Sequence, residues 1–247
     1  MKITSLIPCF TKTLQSVLLL CGLTAAAQAA VITPTYDTFG ALPSATWGGN
    51  GIPNDAVAIS EFRGFTLGLS AHGRYNNTPL TNNGAGTFYA EPGKNTPQGS
   101  NLEGALWNFN FYVDLENVDL LNTYTYQLFY DFNPAVGNDQ STHGVLNLNN
   151  WFLFSSTPTR LQGSQNLQFN FLSSGIPGFV TAPNGSVFDA NALGQYSFAL
   201  TASIGEDEYA RSAINVQVGT SSVPVPAPAT IALLSGGLVL LQLRKRK

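Results

Sequence analysis

"LWNFNFYVDL", Leu106 to Leu115, alternates large apolar and polar side chains for its whole length. Trp107, Phe109, Phe111, Val113 and Leu115 fall on one side and Asn108, Asn110, Tyr112 and Asp114 on the other. A period of two is that of a half-buried strand, and no 3.6-residue face can be drawn through it. The same pattern recurs in "TYTYQLFYDF" (Tyr124, Tyr126, Leu128, Tyr130, Phe132), "NLQFNFL" (Leu167, Phe169, Phe171), "QYSFALTASI" (Tyr196, Phe198, Leu200, Ala202, Ile204) and "SAINVQV" (Ile214, Val216, Val218). Gly and Pro clusters separate these runs, as do Asn-Gly pairs at Asn50, Asn83 and Asn184, each a turn or loop signal.

Alternation with a polar outer face predicts antiparallel pairing, because strands covered on both sides read as continuous apolar runs. No amphipathic stretch of helix length interrupts them. The expected fold is all-β: one antiparallel β-sandwich, jelly-roll or immunoglobulin-like, of roughly eight to eleven strands. Its core is expected to begin near Ala56. The loop-rich stretch from Asn76 to Asn101 has room for one short strand at Thr87 to Ala90.

Composition agrees. The chain has 247 residues, room for one large all-β domain or two small domains, either able to bury its own core, and 44% of them are hydrophobic. Only 10% are charged, with Asn, Thr, Ser, Gly and Gln in their place, a profile that suits an extracellular β-protein. Between Val31 and Ser222 lie 5 basic and all 14 acidic residues, a net charge of −9. Such a body repels phosphate backbones, which argues against nucleic acid as a partner.

The two ends differ from this body. Lys2 and Lys12 flank a basic start, Ser16 to Ala27 is apolar but short, and Ala27-Gln28-Ala29 offers an A-x-A cleavage site. This is the layout of a secretory signal peptide, so residues 1–29 are expected to be removed by signal peptidase, leaving a chain that starts near Ala30. The competing possibility is lipidation of Cys21, but the small residue usual before a lipidated cysteine is missing. Cys9 and Cys21 are the two cysteines, so cleavage would leave no thiol for disulfide, metal or nucleophile.

At the other end, "VPVPAP" (Val223 to Pro228) cannot continue a helix or a central strand, since its prolines fix φ and remove donors. Ala229 to Leu243 is apolar apart from Thr230, Ser235 and Gln242, and Arg244, Lys245, Arg246 and Lys247 close the chain. A helix there reaches about 23 Å, short of a bilayer core of about 30 Å, and spans only by local thinning and snorkelling of the basic end. Four terminal cations belong on the cytoplasmic side, which puts the sandwich beyond the inner membrane. The domain plan is therefore signal peptide 1–29, sandwich 30–222 and tail 223–247, the tail divided into proline motif 223–228, short transmembrane helix 229–243 and basic end 244–247.

The order of proline motif, short apolar run and basic end resembles the PEP-CTERM sorting signal in its VPxPA variant, on Val223, Pro224, Pro226 and Ala227. Val225 stands where a glutamate would sit between the prolines in the commoner form. The same tail bears the family label "ice-binding protein C-terminal domain", which describes the tail alone. The resemblance implies an exosortase substrate of a Gram-negative bacterium: a membrane-anchored precursor, held transiently in the inner membrane, processed near the proline motif by an exosortase-like protease and delivered to the surface where exopolysaccharide is made.

Site chemistry in the body is sparse. His72 in "SAHGRY" and His143 in "QSTHGV" are expected in loops, without the spacing of a zinc site and without a G-x-S-x-G elbow. In "FYDFNPAVGNDQSTHG", Asp131, Asn133, Asn138 and Asp139 are hard oxygen donors that could hold Ca²⁺. Ala135 stands where an EF-hand would place its third ligand and no glutamate closes the loop, so an Asx-rich turn accounts for the same residues. "GEDEYAR" (Gly205 to Arg211) is read as a solvated hairpin loop. Trp107 and Trp151 are expected within strands and in the core. Trp47, in the loop "ATWGGNG", and Tyr112, on the polar face of its strand, are the candidates for stacking on a glycan. The leading expectation is a non-enzymatic surface or extracellular-matrix protein with no required cofactor. The alternatives are a carbohydrate-binding module and, behind it, a secreted hydrolase.

Overall fold

A computed structural model describes residues 30–96 and 102–219. The signal peptide, the tail and their motifs lie outside the described residues. Within them the chain forms β1 (Thr38–Gly40), β2 (Val57–Phe62), β3 (Phe65–Gly73), β4 (Thr81–Asn82), β5 (Thr87–Ala90), β6 (Lys94–Asn95) and β7 (Gly104–Ala105). It continues with β8 (Trp107–Leu115), β9 (Thr125–Tyr130), β10 (Gly144–Asn147), β11 (Arg160–Gln165), β12 (Val180–Thr181), β13 (Gly194–Ile204) and β14 (Asp207–Val218). Helices α1 (Leu120–Thr123), α2 (Leu148–Trp151) and α3 (Asn170–Ser174) are single turns. Among the described residues no helix is long and apolar enough to cross a membrane.

Two sheets face each other. The first runs β1-β2-β3-β8-β11 and the second β12-β10-β9-β13-β14-β5-β4, with β6-β7 as a separate ribbon. All pairings are antiparallel except β14 with β5, where Asn215 to Val218 run alongside Thr87 to Ala90 in the same direction. The alternating residues point inward as expected: Trp107, Phe109 and Phe111 from the first sheet meet Tyr130, Tyr196, Phe198 and Leu200 from the second in one buried cluster. The Phe109 and Phe198 rings stack across the gap with centroids 4.7 Å apart. Burying side chains of this size contributes about 2–3 kcal/mol each relative to leaving them in water, so this aromatic layer is the main reason the sheets stay together.

The turns follow local chemistry. Gly51, Gly84 and Gly185, each after an asparagine, all have positive φ (71°, 68° and 78°), the conformation that an Asn-Gly pair supplies at little cost. In the second of these Asn83 also accepts hydrogen bonds from the Ala85 and Thr87 amides. Gly205-Glu206 makes the β13–β14 turn, so that Asp207 and Glu208 already belong to β14.

Two strand expectations fail. "NLQFNFL" forms a turn and then α3, with Leu167 and Leu172 buried. The buried Asn166 amide accepts from the Ala105 N–H and donates to the Ala105 and Trp107 carbonyls. That tether ends β11 at Gln165 and turns the chain before the apolar alternation can pair. Trp151 closes α2 rather than lying in a strand, and is half-buried against Phe171 and Phe179.

Each sheet also has cover on its outer face. On the second, Ile32 packs on Ala199 and Ala213 with Phe129 beside them, the Thr35 amide donates to the Ala213 carbonyl, and the Gln140 amide donates to the Ala30 carbonyl. On the first, the segment from Leu42 to Asn54 folds back as a flap over Val57, Ile59 and Tyr112.

Candidate functional site

The flap corrects the expectation for both glycan-stacking candidates. Trp47 is 2% exposed and Tyr112 wholly buried. Their rings meet edge to face with centroids 6.4 Å apart, so neither offers a face to a sugar. Gln162 of β11 holds the flap by accepting hydrogen bonds from the Thr46 and Trp47 amides (2.9 and 2.8 Å), while the Trp47 indole donates to the Pro53 carbonyl at 2.9 Å. The Tyr112 hydroxyl sits between Ser44 Oγ at 3.0 Å and Asp114 Oδ2 at 2.8 Å, and Arg160 Nη2 meets the same Asp114 oxygen at 2.6 Å. Burial raises the Tyr112 pKa above its usual value, which keeps the phenol protonated as a donor.

The loop after β9 gathers the calcium candidates and turns most of them on one another. Asp131 Oδ1 accepts from the Asn133 amide at 2.8 Å, Asp131 Oδ2 accepts from Asn138 Nδ2 at 2.9 Å, and Asn138 Nδ2 also donates to the Asn133 carbonyl at 2.7 Å. Asn133 Oδ1 accepts from the Ala135 amide. Asp139 points elsewhere, capping the short 3₁₀ turn by accepting from the Ser141 amide at 2.9 Å. These bonds hold its carboxyl below the usual range, the Ser141 backbone contact being the largest cause. The arrangement is that of successive Asx turns.

Sequence spacing gave no sign of what lies beneath this loop. His143 lies in the loop expected for it, just before β10, but is 4% exposed and brings its Nε2 within 2.8 Å of Ser197 Oγ in β13, with Asp131 Oδ2 at 3.5 Å from that oxygen. His143 Nδ1 faces the Asp139 carbonyl at 3.1 Å, so Nδ1 carries the proton and Nε2 accepts from the serine. Burial pushes the imidazole below its ordinary pKa of 6.5, with Asp131 acting in the opposite direction. A serine, a histidine and an acid are thus assembled, but the acid lies on the serine side of the ring and all three side chains are covered. A nucleophile needs the acid behind the other nitrogen and an approach for substrate; this cluster instead ties the loop to the sheet.

Three depressions bear on chemistry. One of about 390 Å³ at the β2–β3 turn is lined by Glu61, Asp114 and Glu116, of which Asp114 is already engaged by Arg160 and Tyr112. A second, about 270 Å³ and apolar, lies between β10 and β11 near Trp151, Phe154 and Phe171. The third, about 370 Å³, lies beside the flap and includes Trp47, His72, Arg74, Tyr75, Asn108 and Ser164. His72, also expected in a loop, is 1% exposed within β3, where burial pushes its pKa down to about 4 and the neighbouring Asn110 offsets part of that shift. The chain matches no protein-family model, no curated protein and no solved structure.

Proposed function

We propose that the protein is a non-enzymatic surface or extracellular-matrix protein, exported by its signal peptide, sorted by an exosortase-like protease through its tail, and associated with exopolysaccharide. The observation that carries this is the order Val223-Pro224, Pro226-Ala227, apolar Ala229 to Leu243, then Arg244 to Lys247. Strand β14 ends at Val218, five positions before Val223, so the motif follows the folded body with little intervening chain. In this proposal the signal peptide and the short C-terminal helix are the membrane-associated parts of a precursor. Two features favour a body without catalysis: the Ser197–His143 pair is closed to substrate, and Asp114 in the acidic depression is held by an arginine.

The test is the intact mass of the protein recovered from the envelope and medium of its host. A chain that begins near Ala30 and ends near the proline motif is expected. A mass that retains Arg244 to Lys247 would sink the sorting proposal and leave an inner-membrane anchor.

Carbohydrate binding is a second proposal. It no longer rests on Trp47 and Tyr112 as stacking faces. What favours it is the third depression, which combines an exposed Tyr75 with amide, hydroxyl and guanidinium groups and has no carboxylate in its lining.

A further inference from the structure

The depression beside the flap concentrates three independent oddities. The first is backbone strain. Among the described residues four non-glycines have positive φ, and three of them line this one place: Trp47 (56°), Tyr75 (67°) and Asn77 (51°). Asparagine tolerates that conformation; tryptophan and tyrosine do so only when the surroundings impose it. Asn77 Nδ2 donates to the Asn50 carbonyl at 3.1 Å and so ties the 74–78 turn to the flap.

The second oddity is a shortage of partners. Among the described residues, His72 Nδ1 and Arg74 Nη1 are buried without a hydrogen bond. Of the five cations in the body, Lys94, Arg160 and Arg211 each meet a carboxylate; among the described residues Arg63, which is exposed, and Arg74, only 7% exposed, meet none, so Arg74 is the buried cation without one. Its guanidinium lies over the Tyr75 and Phe169 rings at 4.3 and 5.4 Å, and among the described residues its one hydrogen bond is a long 3.5 Å contact from Nη2 to the Leu102 carbonyl. Gly104 gives it its seat, because a Cβ there would fall on Nη1. An almost buried cation with aromatic neighbours and no anion is a group that gains from one.

The third is lining chemistry. The floor is polar, with Asn108 Nδ2 donating to Ser164 Oγ at 3.0 Å, which leaves the serine hydroxyl free to donate. The rim holds Tyr75, 41% exposed. Amide and hydroxyl groups suit sugar hydroxyls, an aromatic ring suits the apolar face of a sugar, and a planar guanidinium suits a carboxylate. About 370 Å³ is the size of a small-ligand cleft. The body charge of −9 disfavours dense polyanions, so a single carboxylate among neutral hydroxyls fits better than a run of phosphates.

We infer that this depression binds a sugar unit carrying one carboxylate, with the carboxylate at Arg74, hydroxyls at Asn108 and Ser164, and the ring against Tyr75. The inference rests on the glycan-associated reading of the protein and names the class of glycan.

The experiment titrates the protein, as exported by its host, with a glucuronic-acid-containing disaccharide and with its methyl ester, following binding by NMR and calorimetry. The acid is expected to bind, and the neutral ester at least about tenfold more weakly, the loss expected when a charge-assisted hydrogen-bonded pair becomes a neutral contact. Tyr75→Ala, an exposed position that leaves the core intact, is expected to weaken the acid by a similar factor, and Arg74→Lys to weaken it while circular dichroism stays unchanged. Free glucuronate binding as well as the disaccharide would mark a free sugar acid as the source, and tighter binding of the disaccharide would mark a polymer unit; both support the site. No binding at millimolar acid, an ester that binds as well as the acid, or a Tyr75→Ala variant with full affinity would each overturn it. A correctly processed tail together with no sugar binding would leave the sorting proposal standing and remove this inference alone.

Discussion

The loop from Asp131 to Asp139 and the outer face of the first sheet near Arg74 are both rich in polar side chains, and they use them in opposite ways. In the loop nearly every oxygen and amide already has a partner a few residues away: Asp131 serves the Asn133 amide and Asn138, and Asn133 serves the Ala135 amide. On the sheet face, His72 Nδ1, Arg74 Nη1 and both amide atoms of Asn110 are buried without partners among the described residues. Density of polar residues therefore does not locate a ligand. A group that folding has desolvated and left unmatched does, because its missing hydrogen bond is stabilisation that only something added can supply.

If the loop is a structural tie, cutting its hub should be costly. Asp131→Ala removes the acceptor for Asn133 and Asn138 and the acid beside Ser197, and is expected to destabilise by about 2–4 kcal/mol through lost charge-assisted hydrogen bonds, seen as a lower urea midpoint with an unchanged slope. A loss below about 1 kcal/mol would mean that the loop is dispensable and the contrast false.

The sheet face should respond to acid. His72 is held near 4 against an ordinary 6.5, so as pH falls the unfolded chain takes up the proton first. The stability tied to neutral His72 is complete above about pH 6.5 and is lost as pH falls toward 4, at most about 3 kcal/mol. His143, depressed in the same direction, adds to the decline. His72→Gln should flatten most of the slope in pH-dependent denaturation; an unchanged slope would assign the acid sensitivity to other groups.

The smallest effect sharpens the comparison most. Asn110 is fully buried in β8 with neither amide atom paired, so Asn110→Leu is expected to raise stability by about 1 kcal/mol in thermal unfolding. The corresponding change in the satisfied loop, Asn138→Leu, should lower stability. Equal signs at the two sites would erase the distinction.

Much of the sandwich was legible. Tyr126, Leu128 and Tyr130 in β9, Tyr196, Phe198 and Leu200 in β13, and Ile214, Val216 and Val218 in β14 are buried as their alternation implies, and Thr87 to Ala90 is the strand that the loop-rich stretch had room for. Alternation succeeds because the pleat itself sends neighbouring side chains to opposite faces. It could not say that β5 would join β14 in parallel, since pairing direction depends on where a distant segment arrives. The candidate site was less legible. Trp47 and Tyr112 read as exposed because one lies in a glycine-rich loop and the other on a polar face. Their burial depends on Gln162, 115 residues beyond Trp47, catching the flap by its backbone. Ser197 and His143 meet across 54 residues with no motif around either.

By itself the sequence determined what is local and periodic: the strands with a core-facing side, the Asn-Gly turns, the Asx turns after β9 and the acidic character of the body. Each follows from a residue's own conformational preference or from neighbours within a few positions. The tertiary structure alone decided which polar faces are covered, which histidines are buried, and which buried cation is left without an anion. Those outcomes arise where segments far apart in the chain exclude water together, and burial of that kind has no representation in any single stretch of sequence.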